Sequence, residues 1–161
     1  MKQIENGQEE QKNGSNRTEN NKNSAGSREI YGAGCRNLQF DDCVWGGMVD
    51  AKMATALTGR NGQALEDYKK RLLKLNNQVV AQAPEDLVIN THVCRGNYHS
   101  TFFSSGAYDS VADLLFGEEN VNAYYLEYDD KRSGGFAPLA KVSGDKKVVL
   151  GLITTKIPQL E

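Results

Sequence analysis

Leu87-Val88-Ile89-Asn90-Thr91-His92-Val93-Cys94 is the stretch on which the fold turns. It starts apolar and ends in residues of metal-ligand type. A near-continuous apolar run of this kind suits a strand buried on both faces, as in a parallel sheet. Lys147 to Thr154 reads the same way, and Asn37–Asp41 and Ala123 to Tyr128 are two further strands. Between the first two strands, Leu65, Tyr68, Leu72, Leu75 and Val79 recur at helical spacing, while Glu66, Lys69, Lys70, Arg71 and Lys74 fill the opposite face. Pro84 stops that helix before the next strand. A shorter helix is predicted from Tyr108 to Phe116, with Asp109 near its start and Gly117 at its end. Strands alternating with helices predict βαβ units and a parallel α/β sheet.

Outward from this core the composition changes. Residues 1–29 are dense in Asn, Glu, Lys, Gln, Ser and Gly and almost free of apolar side chains. Such a segment buries too little surface to offset the entropy of ordering it, so it is expected to be a disordered polar tail. Residues 30–161 carry the folded domain. The chain of 161 residues, 39% hydrophobic and 25% charged, has a net charge of -2. That charge gives no electrostatic reason to expect nucleic acid or an anionic membrane as partner. No apolar run approaches the roughly 20 residues that span a bilayer, and no apolar signal segment opens the chain, so a cytoplasmic location is expected. The sequons at Asn13 and Asn16 then read as chance in an Asn-rich tail. Cys35, Cys43 and Cys94 are an odd count without framework spacing, and in a reducing compartment disulfides are not expected.

Polar residues gather at the C-terminal ends of the predicted strands: Asp41 and Asp42, His92 and Cys94, then Glu127, Asp129 and Asp130. In parallel barrels and open α/β sheets, active sites are built at that edge. His92 and Cys94 lie two apart on one strand, so both side chains project to one face. An imidazole and a thiolate suit zinc, and Glu127 on the next strand is placed to add a carboxylate. By itself His-x-Cys is a weak signal that reads first as a buried histidine and a small buried thiol. Gly32-Ala33-Gly34 lacks the full phosphate-binding pattern. His99, Trp45 and Tyr98 read as loop or packing residues.

The segment Ile89-Asn90-Thr91-His92-Val93-Cys94-Arg95-Gly96-Asn97-Tyr98-His99-Ser100 resembles the zinc-ligand strand of the cobalamin-independent methionine synthases, and above all of their shorter bacterial single-barrel relatives. Leu126 to Asp130 followed by Arg132-Ser133-Gly134 resembles the strand that supplies the glutamate ligand. Gly34 to Asp42 resembles the strand before the zinc strand, and Val149 to Lys156 the strand after the glutamate. The resemblance covers about residues 30–161, with the motifs in family order.

It implies a partial (β/α)₈ TIM barrel of about four of the eight βα units, against the roughly 250 residues of a complete barrel. It implies Zn²⁺ as cofactor, with His92, Cys94 and Glu127 as three ligands. Homocysteine and 5-methyltetrahydrofolate are the implied partners, the zinc-activated thiol accepting the methyl group to give methionine. Asp41 resembles the residue that holds the amino group of homocysteine, although such a carboxylate could equally bond a neighbouring loop. The family's fourth ligand is a second cysteine on the last barrel strand, downstream of Glu161. Cys35 and Cys43 do not occupy its position and read as ordinary thiols. The chain alone is therefore expected to be inactive, with exposed barrel edges that favour self-association or a partner chain. A non-catalytic remnant or half-barrel, and a thiol methyltransferase with another donor or acceptor, are the competing readings.

Overall fold

The computed structural model describes residues 26–158. Most of the predicted polar tail lies outside them. Residues 26–32 are helical (α1), so order begins slightly before the boundary that composition suggests. The cause is local tethering: Ser27 is buried, the Arg28 guanidinium donates to the Gln82 carbonyl, and the Tyr31 hydroxyl donates to Asp86 at 2.6 Å.

Four parallel strands follow in the order β1 (Asn37–Asp41), β2 (Val88–Val93), β3 (Ala123–Glu127) and β4 (Lys147–Gly151), each hydrogen-bonded only to its sequence neighbours. β1 has the predicted bounds. β4 stops three residues short of the predicted Thr154. Its last ladder bond, from the Tyr128 N–H to the Gly151 carbonyl, comes where β3 has already ended, and Leu152 and Ile153 continue exposed.

The register sorts side chains into two rows. Leu38 and Phe40, Ile89, Thr91 and Val93, Tyr124 and Leu126, and Val148 and Leu150 share one face. All but Thr91 belong to the hydrophobic core or pack on its rim, with Leu65, Leu73, Leu115 and Phe116 from the helices. The opposite row is more open: Asn37, Gln39, Asp41, Lys147 and Val149 are exposed. The sheet is thus covered on one face, and β1 and β4 are its two edges among the described residues.

The β1–β2 crossover holds more than the one predicted helix. α2 (Cys43–Met48), α3 (Ala51–Thr58) and α4 (Gly62–Ala81) run in succession. Asp42 caps α2 by accepting from the Trp45 N–H, and Asp50 caps α3 by accepting from Lys52 and Met53. Gly59 ends α3 in the left-handed conformation, φ 63°, where a Cβ is disfavoured. Of the predicted apolar face of α4, Leu65 and Val79 are buried but Tyr68, Leu72 and Leu75 are only half-buried; the buried stripe is rotated onto Leu73 and Lys69, the latter from the predicted solvated face. Lys69 sits between Leu65 and Leu73 at a four-residue spacing, and its buried ammonium donates to the Ser110 carbonyl and to Glu66. The second crossover forms a 3₁₀ turn at Tyr108–Ser110 and then α5 (Ala112–Glu118), which carries Gly117 inside the helix rather than after it. No helix among the described residues is long and apolar enough to cross a membrane.

Candidate metal centre

β1 and β2 run in register with Asp41 beside His92. The ladder continues one step further, because the Asp42 N–H donates to the His92 carbonyl at 2.8 Å. Each parallel strand therefore delivers its C-terminal polar residues to the same end of the sheet. Ligand atoms of Asp41, His92 and Cys94 lie within 4.8 Å of one another there. Imidazole, thiol and carboxylate brought together in this way are donors that suit a zinc ion.

Two contacts prepare this cluster. His92 Nδ1 is 3.0 Å from the Tyr125 carbonyl oxygen on β3, an acceptor that holds the proton on Nδ1 and leaves the Nε2 lone pair free. Cys94 Sγ accepts from the Gly96 N–H at 3.3 Å, which orients the thiol. Close packing fixes the position of Cys94 as well. A Cβ built on Gly46 of α2 would stand 1.9 Å from the Cys94 carbonyl oxygen. Gly46→Ala is accordingly expected to push α2 away from β2, cost about 1–3 kcal/mol of stability and weaken metal retention. Denaturant titration and metal analysis on the same preparation check this. Unchanged values in both would show that α2 does not set the site.

Glu127, the predicted third ligand, stands beside the cluster, with Oε1 4.0 Å from His92 Nε2. Its carboxylate is held on all sides. Oε1 accepts from the Arg95 N–H at 2.9 Å and from Asn97 Nδ2 at 2.8 Å, and Oε2 pairs with Arg132 at 2.8 Å. The Arg95-Gly96-Asn97 segment noted in the sequence thus orients this carboxylate. Arg132 also pairs with Asp129 at 3.0 Å and with Asp130, and Lys156 pairs with Asp129 at 2.7 Å. Although burial opposes ionisation of Asp129, the Lys156 hydrogen bond and the Arg132 charge hold it below the usual carboxylate range. Asp129 and Asp130 therefore anchor Arg132 and do not enter the cluster.

Cys43, expected to be an ordinary thiol, is an exposed free thiol outside the cluster of Asp41, His92 and Cys94. It opens α2 and, with Cys94, lines a cavity of about 360 Å³ walled by Met48, Leu57, Tyr68 and Phe103. Partial burial, then the neighbouring Cys94 and Asp41, push the Cys43 thiol up to about 11. Cys35 instead sits before β1, its thiol bonded to the Asn37 carbonyl. His99 is exposed, at φ 48°, stacked on Tyr98 at 4.1 Å and outside the cluster, in keeping with a loop residue. Trp45 is fully buried, consistent with packing, whereas Tyr98 is 73% exposed and packs into no core. Asp41 also lines a second cavity, about 540 Å³, along the free edge of β1.

No protein-family model matches the chain. It is 42% identical over 135 residues to the uncharacterized Bacillus subtilis protein YxjH, and 39% identical over 133 residues to the uncharacterized YxjG of the same organism. Those matches cover 83% and 82% of the chain but only 36% and 35% of the relatives. Among solved structures it resembles a Listeria monocytogenes protein provisionally described as a vitamin-B12 independent methionine synthase. The TM-score is 0.63 at 29% identity, over 86% of the chain and 37% of that protein. The chain thus spans little more than a third of each protein it matches, and its parallel α/β sheet is similar to part of a methionine-synthase-like structure.

Proposed function

We propose that this chain is the metal-binding portion of a zinc-dependent thiol methyltransferase of the methionine synthase type, folded as part of a (β/α)₈ barrel. The observation that carries the reading is the convergence of Asp41, His92 and Cys94 at the C-terminal edge of a parallel sheet, with His92 Nδ1 pinned by the Tyr125 carbonyl. His92 Nε2, Cys94 Sγ and the Glu127 carboxylate are the groups we assign to the metal. Zinc held there would lower the pKa of a bound homocysteine thiol, so that a thiolate is available near neutral pH to accept the methyl group of 5-methyltetrahydrofolate.

The residues of this chain then have distinct tasks. His92 offers Nε2 because its other nitrogen is committed. Glu127 is held against the cluster by Arg95, Asn97 and Arg132, so the ligand is oriented before the metal arrives. Asp41 we assign to the substrate ammonium, since it is exposed and faces both the cluster and the cavity along β1. Its volume, about 540 Å³, lies within the range of small-molecule sites.

The test is metal analysis of the full chain purified under reducing conditions, beside Cys94→Ser. The chain should carry zinc, and the variant should lose tight binding. Equal metal content in the two would sink the assignment. Adding homocysteine to the zinc-loaded chain should release a proton as the thiol ionises, and no release would count against thiol activation.

The open row of the sheet and its two unpaired edge strands favour a further reading, that turnover needs strands this chain lacks. Methyl transfer should then appear only after a polypeptide carrying the remaining barrel strands is added. Continued inactivity in that mixture would favour a non-catalytic remnant.

A further inference from the structure

We propose that Cys43 and Cys94 form a reversible disulfide that withdraws the Cys94 sulfur from the metal centre. The bond itself stands on the two thiols alone, and its effect on the metal rests on the zinc reading above. Both cysteines are free, Cys43 exposed and Cys94 partly so. They line one cavity of about 360 Å³, ample for a molecule the size of hydrogen peroxide. The Cys43 thiol is within hydrogen-bonding reach of the Cys94 thiol. α2 keeps it there. Cys43 and Gly46 lie three apart on one face of that helix, and a Cβ on Gly46 would stand 1.9 Å from the Cys94 carbonyl oxygen. The helical turn that carries Cys43 is therefore seated on the Cys94 peptide. From the other side the Gly96 N–H orients Cys94 Sγ at 3.3 Å. Cys35 is set apart before β1, its thiol bonded to the Asn37 carbonyl.

The oxidant is a peroxide. Whichever sulfur reacts first attacks one peroxide oxygen and the O–O bond breaks. That leaves a sulfenic acid on the cysteine, and the departing hydroxide takes the thiol proton as water. The second sulfur then attacks the first, the S–O bond breaks, and the hydroxyl leaves with the second thiol proton as another water. The two thiols have lost two electrons and the peroxide has gained them. A resolving thiol beside an oxidised one stops the reaction at this reversible stage, short of the irreversible sulfonic acid. In the disulfide the Cys94 sulfur is no longer a thiolate donor, so His92 and Glu127 lose the sulfur partner assigned to the metal. Thiol exchange with a reductant restores it. Disulfides of reducing compartments are mostly transient and redox-sensing, and this pair is of that kind.

The experiment treats the metal-free, reduced full chain with a molar equivalent of hydrogen peroxide, blocks the remaining thiols with iodoacetamide and maps the peptides by mass spectrometry. The expected product is a Cys43–Cys94 linked peptide that dithiothreitol reverses, with Cys35 alkylated as in the untreated chain. Cys35→Ser should give the same link. Cys43→Ser and Cys94→Ser should each lose it, and the thiol left behind should collect a dimedone-reactive sulfenic acid that the wild type resolves. Sulfenic or sulfinic acid without the link in the wild type, or a link that uses Cys35 as readily, would overturn the disulfide. Zn²⁺ affinity is then compared between the linked and the reduced chain. The linked chain should bind more weakly by at least the roughly 10–100-fold that losing a supporting partner costs. Equal affinity in the two would overturn the withdrawal of Cys94 from the metal. No zinc binding by the reduced chain would overturn the zinc reading, and with it that effect, while the disulfide would stand.

Discussion

Arg132→Met is expected to cost about 3–5 kcal/mol of folding stability, the usual result of removing one partner from a buried ionic cluster. The Arg132 side chain is 4% exposed and pairs with Glu127, Asp129 and Asp130. The first two carboxylates are themselves only 11% and 7% exposed. Methionine fills similar space but leaves these charges short of a counterion, with Lys156 on Asp129 as the remaining cation. The guanidinium also lies over the Phe102 ring at 4.6 Å, a contact methionine keeps only as packing.

The pH dependence separates charge from packing. Asp129 has a lowered pKa in the fold, so its contribution is present above its unfolded value, about 3.9, and is lost as pH falls through the lower folded value. Without Arg132 this dependence should weaken, and the gap between wild type and variant should narrow on acidification below about pH 4. Urea titrations at neutral and acid pH provide both numbers. A neutral-pH loss under about 1 kcal/mol would place the cluster among the weak surface pairs.

Glu119→Gln should act in the opposite sense and stabilise the protein by up to about 3 kcal/mol above neutral pH. Glu119 is fully buried. Burial, opposed by the Asn76 hydrogen bond and reinforced by the Asp42 charge, pushes its carboxyl up to about 7. A single Asn76 amide serves both carboxylates, 2.8 Å from Asp42 Oδ2 and 2.8 Å from Glu119 Oε1. Because the folded pKa is raised, the contribution of Glu119 is fully present below its unfolded value. It declines as pH rises towards about 7 and is flat beyond. Glutamine cannot ionise and should remove that decline. Denaturant midpoints across this interval make the comparison. A variant that follows the wild-type profile, or is weaker than it at alkaline pH, would show that Glu119 is ionised in the fold without penalty.

The two substitutions probe opposite supports of the same centre. Arg132 holds Glu127 from the β3 side. Asn76 holds Asp42, which caps the helix that begins with Cys43, and Glu119 in turn holds Asn76. Much of this was legible in the sequence, and the reasons are specific. β1 and β2 are short, strongly patterned and bounded by turn residues, so the side-chain period placed His92 and Cys94 on one face, and the residues around them pointed to a metal. α4 declared itself through its apolar stripe, although Lys69 shows that a long aliphatic stem can occupy a buried position when its ammonium finds a carbonyl. α2 was hidden because Gly46-Gly47 is poor helix-forming sequence. Its reason is tertiary: only glycine lets the helix approach the Cys94 carbonyl so closely. α3 carried readable signals in its Asp50 cap and Gly59 stop, though its few apolar residues give a short stripe. The hydrogen bonds that commit Glu127 were not legible, since the role of Arg95 and Asn97, in the loop after β2, and of Arg132, just after β3, depends on how the two strand ends meet.

The strand order has a consequence for how the molecule comes into being. Among the described residues every strand pairs only with those adjacent to it in the chain, so within this sheet no early strand must wait for one made much later. As the polypeptide leaves the ribosome, β2 can dock on β1 once α4 has been made, and Asp41, His92 and Cys94 then meet. The carboxylate of Glu127 and its Arg132 clamp arrive with the following unit. In the proposed zinc site, capture of the metal would then begin on a nascent chain and tighten with each added layer, so that the order of synthesis is also the order in which the centre matures.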